Sequence, residues 1–144
     1  VILGVPLNEH TEHLFDAERL SRMRSGAVLV NVARGPVVDE DALIEALRSG
    51  HLAGAALDVT EIEPLPRTSP LWDLPNVLIT PHVGAQSNTR VDDSTKLFCV
   101  NLVRRRESRP LWNLVDKRLG FPAPHRRVPS LSALRSEYDR IFCD

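Results

Sequence analysis

Glycine is scarce in this chain and never clustered. Gly4, Gly26, Gly35, Gly50, Gly54, Gly84 and Gly120 each stand alone, so no G-x-G-x-x-G turn is available to seat a pyrophosphate on a helix N-terminus. Cysteine is nearly absent. Cys99 and Cys143 have neither metal-ligand nor redox-pair spacing, which points to reduced thiols and a cytoplasmic setting. An excess of one charge is missing too: 18 Lys and Arg against 19 Asp and Glu leave a formal net charge of −1, so no field exists to hold nucleic acid. No apolar run approaches the roughly 20 residues that a membrane-spanning helix needs. No signal-like segment is visible, and the first residue is Val1 rather than Met, inside the apolar run Val1-Ile2-Leu3-Gly4-Val5. The chain is therefore expected to begin within a strand and to be a fragment, with its remaining parts upstream.

What is present suffices for one modest globular unit: 144 residues with 42% hydrophobic content. Apolar runs too uniform for half-exposed strands alternate with helical periods, the pattern of an α/β fold whose parallel sheet is covered on both faces. After the opening strand, a polar loop runs from Pro6 to Thr11. Asp16 is the expected N-cap of a short helix, with Phe15 and Leu20 as its hydrophobic staple and Gly26 at its end. A strand over 27–32 follows, then a helix starting at Asp39, where Glu40 and Asp41 suit the positive end of the dipole, and closing at Arg48 and Gly50. Strands are expected over 52–59 and 77–80, separated by a Pro-rich loop at 64–75. A long amphipathic helix is expected from Ser87, as its cap, to about Arg106, with Pro110 beyond its end. Past Gly120 the periodicity is lost. The last candidate helix, 131–142, is short and mixed, and 121–144 is assigned as an extension of uncertain order.

The residues with chemistry to offer fall at strand ends, where open α/β sheets bind their ligands. Arg34 sits before Gly35-Pro36, a turn that would fix its Cα while the guanidinium reaches outward to grip a carboxylate with two parallel bonds. An arginine at a strand end is equally able to form a surface ion pair. His82, between Pro81 and Val83-Gly84, can pass a proton to an alkoxide, or serve as a helix-entry residue bonded to backbone. Glu63, held by Pro64, can accept from the second ring nitrogen and favour the charged ring, and Glu61 is the alternative two residues away. Asp58 ends a strand of small residues, where it can accept from a carboxamide or close an Asx turn. His10, Glu12 and His13 lie together without a third strong ligand, so no metal is expected. Arg104, Arg105 and Arg106 are read as offsetting the negative end of a helix dipole.

Val5-Pro6-Leu7, Val30 through Gly35, Ala56-Leu57-Asp58-Val59 through Glu63-Pro64, and Thr80-Pro81-His82-Val83-Gly84 occur in order. Through these motifs, residues 1 to about 120 resemble the NAD-binding domain of the D-isomer-specific 2-hydroxyacid dehydrogenases. The resemblance implies a partial Rossmann-like, doubly wound parallel sheet from a two-domain protein. Residues 1–106 would be the C-terminal part of the nucleotide domain, and 107–120, through Pro110 to Lys117, a segment returning toward the substrate domain. It implies hydride transfer between NAD and a small D-2-hydroxy or 2-keto acid. In that scheme Arg34 binds the carboxylate and keto oxygen, Glu63 pairs with His82, and His82 is the acid/base. Val5, Val32, Ala33, Arg34, Asp58, His82, Val83, Gly84 and Ala85 would contact the cofactor. A homodimer is implied for the full-length form. The acidic residue that reads the adenosine ribose lies outside this sequence, so NADP stays open beside NAD. Thr60, where many relatives carry Phe, hints at the glyoxylate/hydroxypyruvate branch. Two alternatives stand beside the enzyme: an NAD-binding corepressor-like regulator that keeps the same polar residues, and a truncated product without activity of its own.

Overall fold

The computed structural model describes residues 1–143. Its contacts divide the chain into Val1–Ala85 and a second unit that starts at Gln86. The first unit is a four-stranded parallel sheet in the order β1 (Ile2–Leu3), β2 (Ala27–Asn31), β3 (Leu52–Leu57), β4 (Val77–Ile79), so sequence neighbours are also spatial neighbours.

Two helices connect the first three strands. Helix α1 (Ala17–Ser21) begins where the Asp16 carboxylate accepts the Arg19 N–H at 2.9 Å, and α2 (Glu40–Arg48) where Asp39 accepts the Ala42 N–H at 2.9 Å. Each cap satisfies a donor that the helix itself cannot use. Helix α1 ends earlier than expected. Arg22 closes it, and Gly26, with φ of +79°, instead donates its N–H to His51 and opens β2. Gly50, with φ of +72°, follows the last turn of α2 as expected.

The sheet departs from the two-sided burial expected of it. The registered row Leu3, Asn31, Leu57 and Ile79, with Leu29 and Ala55 beside it, packs against Leu20, Leu43, Ile44 and Leu47 of the helices and Leu71 of the β3–β4 connection. The opposite row is open, with Ile2 75% and Leu78 64% exposed. The cause is topological: strands added in one direction with crossovers of one hand put every connecting helix on the same side.

The second unit is built on α3 (Arg90–Arg106) and α4 (Leu131–Phe142), with β5 (Val115–Asp116) and β6 (Phe121–Pro122) paired antiparallel between them. Helix α3 starts three residues after Ser87, the expected cap. The Ser87 carbonyl takes the Arg90 N–H in a preceding turn, and Thr89 stands at the N-cap position without a side-chain capping bond. Ser130 caps α4 by accepting the Ala133 N–H at 3.1 Å. Arg104 is more than a dipole partner. Its Nη1 donates to both oxygens of Glu137 at 2.9 and 3.0 Å, its Nε donates to the Pro110 carbonyl, and its guanidinium lies 4.3 Å from the Trp112 ring centre. Arg109 reaches the same Glu137, and Arg135 grips Asp93 through two bonds of 2.9 and 2.8 Å.

The central strand supplies the clearest stability test. Leu29 is fully buried between the sheet and both helices. Leu29→Ala is expected to lower unfolding stability by about 2–5 kcal/mol, read as a lower urea midpoint at unchanged m-value.

Candidate active site

Four loops leave the carboxyl ends of the parallel strands side by side, with adjacent strands roughly 4.8 Å apart. Arg34 follows β2, Glu63 follows β3 and His82 follows β4. Such spacing brings long side chains from adjacent loops within reach of one another.

The Arg34 turn is built by Asn31. This buried side chain accepts the Ala33 N–H through Oδ1 at 3.0 Å and donates through Nδ2 to the Arg34 carbonyl at 3.0 Å. Arg34 itself is extended and exposed, and one Nη1 bond goes back to the Ala33 carbonyl at 2.6 Å. Gly35 then has to be glycine: an added Cβ would overlap the Thr60 carbonyl. The β2 and β3 loops thus touch backbone to backbone.

The β3 loop is folded by Thr60. Its N–H donates to Glu63 Oε1 at 3.2 Å and its hydroxyl donates to the Ile62 carbonyl at 2.9 Å. The other Glu63 oxygen lies 2.8 Å from His82 Nδ1. An ionised carboxylate only accepts, so the proton of that bond sits on Nδ1. Nε2 has no protein partner among the described residues. The bond to His82 holds the Glu63 carboxyl below its usual range, with the Thr60 N–H and the charges of His82 and Arg34 acting in the same direction against a desolvation cost. Glu61, the alternative to Glu63, does not reach the imidazole; it engages His13 and the Glu40 N–H.

His82 occupies the left-handed region, with φ of 53°, a conformation that a side chain adopts only when its surroundings impose it. Asp58 imposes it. This carboxylate, only 7% exposed, accepts the Thr80 hydroxyl at 2.6 Å and the Val83 N–H at 2.9 Å through Oδ1, and the Gly84 N–H at 2.7 Å through Oδ2. An added Cβ on Gly84 would come within 2.8 Å of Oδ2, so glycine admits the close approach. The Thr80 bond, then those from Gly84 and Val83, hold the Asp58 carboxyl below its usual range. Of the roles open to Asp58 in the sequence, the turn takes three of about four acceptor positions.

A cavity of 570 Å³ adjoins the Glu63–His82 pair, walled on its apolar side by Leu65, Trp72, Ile79 and Pro81. Val5 is half-buried after β1, Ala33 is buried, and Val32 and the turn from His82 to Ala85 are exposed at the same edge. Among the described residues no cluster of His, Cys, Asp and Glu is arranged to hold a metal. Sequence reasoning missed Asn31, Thr80 and the His13–Glu61 contact. For Asn31 the available sign was a polar residue at the last position of an apolar strand; Thr80 stands just past β4.

Residues 1–84 match the profile described as D-isomer specific 2-hydroxyacid dehydrogenase, NAD binding domain. The chain belongs to this family. The glyoxylate/hydroxypyruvate reductase B of Citrobacter koseri is 53% identical over 88 residues, covering 61% of this chain and 27% of that protein. The glyoxylate reductase of Korarchaeum cryptofilum is 42% identical over 117 residues, covering 81% and 35%. A crystal structure of a D-isomer specific 2-hydroxyacid dehydrogenase from Xanthobacter autotrophicus Py2, in complex with NADPH and MES, superposes with a TM-score of 0.77 at 49% identity, covering 83% of this chain and 48% of that one. The apo D-mandelate dehydrogenase of Rhodotorula graminis gives 0.75 at 35% identity, covering 84% and 35%. The chain therefore spans about a third of the length of the curated relatives it matches. Its first 84 residues are part of an NAD-binding domain of this family, in keeping with the α/β fold and the cofactor expected from the sequence.

Two outcomes follow from the carboxylates. Asp58→Asn turns one acceptor into a donor facing the Val83 or Gly84 N–H, and is expected to speed amide exchange at both residues roughly tenfold or more while core amides keep their protection. Asp58 and Glu63 have folded pKa values below their unfolded ones, so the stability they contribute is present above pH 4.5 and is lost as pH falls through the folded values. Acid titration followed by circular dichroism is expected to show unfolding that sets in below pH 4.5, with a pH dependence that is weaker in Asp58→Asn.

Proposed function

We propose that this chain supplies the substrate-binding and proton-transfer half of a nicotinamide-dependent oxidoreductase that interconverts a small 2-keto acid and its D-2-hydroxy acid. The observation that carries this reading is the 2.8 Å bond between Glu63 and His82 Nδ1, which leaves Nε2 without a protein partner among the described residues, beside an exposed Arg34 whose charge is felt at Glu63.

In this reading Arg34 binds the substrate carboxylate through its fork and polarises the adjoining carbonyl. His82 Nε2 donates a proton to the oxygen as it becomes an alkoxide, and in the reverse direction it removes the hydroxyl proton. Glu63 holds the Nδ1 proton and one ring orientation, so that the imidazolium that donates from Nε2 is left as the neutral Nδ1–H tautomer, which takes the proton back in the reverse direction. A bound nicotinamide supplies or accepts the hydride. The exposed apolar surfaces of Val32 and Val83, with the His82–Ala85 turn, fit a flat ring at the strand edge; Val5, Ala33 and Asp58 support the same edge from within. Two of the relatives are named as reductases of glyoxylate or of glyoxylate and hydroxypyruvate, which supports these as substrates. The reading extends to NAD or NADP as coenzyme, and to a cytoplasmic homodimer in which residues 1–106 belong to the nucleotide domain and 107–120 lead toward the substrate domain.

A chimera tests it. Residues 1–106 replace the matching segment of a glyoxylate/hydroxypyruvate reductase, and turnover of hydroxypyruvate with NADH is measured. His82→Gln is expected to lower kcat about 10²–10⁴-fold, and Arg34→Ala to raise KM and lower kcat together. NADH binding without turnover in the unmutated chimera supports the regulator reading instead. The 144-residue chain alone, which contains no Gly-rich turn, is the control and is expected to bind NADH weakly by fluorescence titration and to turn nothing over.

A further inference from the structure

Glu61 stands two residues before Glu63, yet its side chain turns to other partners. Its Oε1 accepts the Glu40 N–H at 3.2 Å and lies 2.9 Å from His13 Nε2. In return Glu40 Oε2 accepts the Glu61 N–H at 3.0 Å. Each residue's carboxylate holds the other's backbone, a crossed pair of bonds that fixes separation and angle at once. Glu40 is the first residue of α2, so its N–H is one that the helix cannot satisfy internally, and a carboxylate there suits the helix dipole. The clasp has a cost: burial, then the charges of Glu61 and Asp41, hold the Glu40 carboxyl above its usual range, opposed by the Glu61 N–H. His13 sets a positive-capable group against that acidic pair. Its own N–H donates to the Pro36 carbonyl at 2.7 Å.

These bonds sit at matched places along the chain. Pro36 lies two residues after Arg34, and Glu61 two residues before Glu63. Between them Gly35 meets the Thr60 carbonyl with no room for a Cβ. The β2 and β3 loops are therefore joined by one unavoidable backbone contact and by two side-chain bonds between Glu61 and Glu40, and His13, from the loop after β1, touches both through Glu61 and the Pro36 carbonyl. We propose that Glu61 is a positioning residue: by clasping Glu40 and His13 it sets the separation between the Arg34 turn and the Glu63–His82 pair. This rests on the function proposed above, in which Arg34 holds the substrate carboxylate while His82 meets the keto oxygen. A misplacement of about 1 Å between two such groups can cost roughly 100-fold in rate.

The test reads geometry rather than turnover, so it stands or falls apart from the chimera experiment. Nuclear magnetic resonance on the 144-residue chain follows the Glu63 carboxyl titration and the His82 Nδ1 resonance in Glu61→Ala and Glu61→Gln, with Tm measured alongside. In Glu61→Ala the Glu63 midpoint is expected to rise toward the ordinary carboxylate value and the Nδ1 signal to lose its hydrogen-bonded shift. Glu61→Gln keeps an oxygen for the Glu40 N–H and is expected to restore both. Wild-type Glu63 and His82 signals in Glu61→Ala, whatever its Tm, would reduce Glu61 to a helix cap and overturn the proposal. Equal shifts in both variants overturn it too, because charge rather than the clasp would then matter. Should Glu61→Ala fail to fold, His13→Ala removes only an exposed contact; it is expected to move the same signals by a smaller amount, and unchanged signals there count against the proposal.

Discussion

A single carboxylate, that of Asp58, accepts three bonds from the turn that follows the last strand of the sheet, and the candidate site depends on them. Apart from the Glu63 bond to its ring, these bonds hold His82 at positive φ, because its own N–H makes only a local bond to the Thr80 carbonyl. The turn projects beyond β4 and its residues are exposed, so it cannot rely on apolar packing. It relies on charge-assisted bonds to a buried acceptor, which are shorter and stronger than neutral ones. Asp58 in turn is anchored at the end of β3, whose flanks are β2 and β4. Rigidity passes from the sheet into an otherwise bare loop through one side chain.

The same device recurs at the end of each neighbouring strand. Asn31 closes on the Ala33 N–H and the Arg34 carbonyl after β2, and Thr60 closes on Glu63 and Ile62 after β3. In each case a residue whose side chain is mostly shielded from water satisfies backbone groups that the ladder no longer can. Arg34, Glu63 and His82 therefore each project from a turn locked from beneath. Apolar burial positions the strands; polar closure positions the chemistry.

This division explains what was legible in the sequence. Strands and helices were readable because their signals are local: Asp16 and Asp39 as caps, Gly50 after a helix, and apolar runs at 27–32 and 52–59, of which the sheet takes Ala27–Asn31 and Leu52–Leu57. The pairing of His82 with Glu63 rather than Glu61 was not decidable from spacing, since both glutamates lie in one loop and only its closure by Thr60 turns one inward and the other toward α2. The bare sheet face followed from strand order, which periodicity does not report. Ser87 was a reasonable cap by residue type, but its carbonyl was drawn into a turn before the helix began. The end of the chain, where helical spacing was weakest, is held by ions instead. Arg104 and Arg109 meet on Glu137 and Arg135 meets Asp93, pairs separated by 28–42 residues that no local pattern reveals. Removing Glu137 would leave the nearly buried Arg104 guanidinium without its carboxylate, which makes the pair a strong constraint on geometry even where it adds little net stability.

The charge arrangement at the site follows from these closures. Acidic side chains outnumber basic ones along the β2 and β3 loops, yet in the proposed reading an anionic substrate approaches there. Asp58 gives its negative charge to two backbone N–H groups and a hydroxyl, Glu63 to a backbone N–H and the imidazole, and Glu61 to a backbone N–H and His13. Each carboxylate is thus screened by donors at hydrogen-bond distance, which weakens its repulsion of an incoming anion. Arg34 differs. Among the described residues its side chain makes one bond, from Nη1 to a neutral carbonyl, so its charge and four of its five N–H donors remain for a ligand. A site crowded with acids can therefore present a net attraction for a carboxylate at one point, provided every acid is internally satisfied; undoing any one of these closures would both loosen the geometry and release a negative charge beside the substrate.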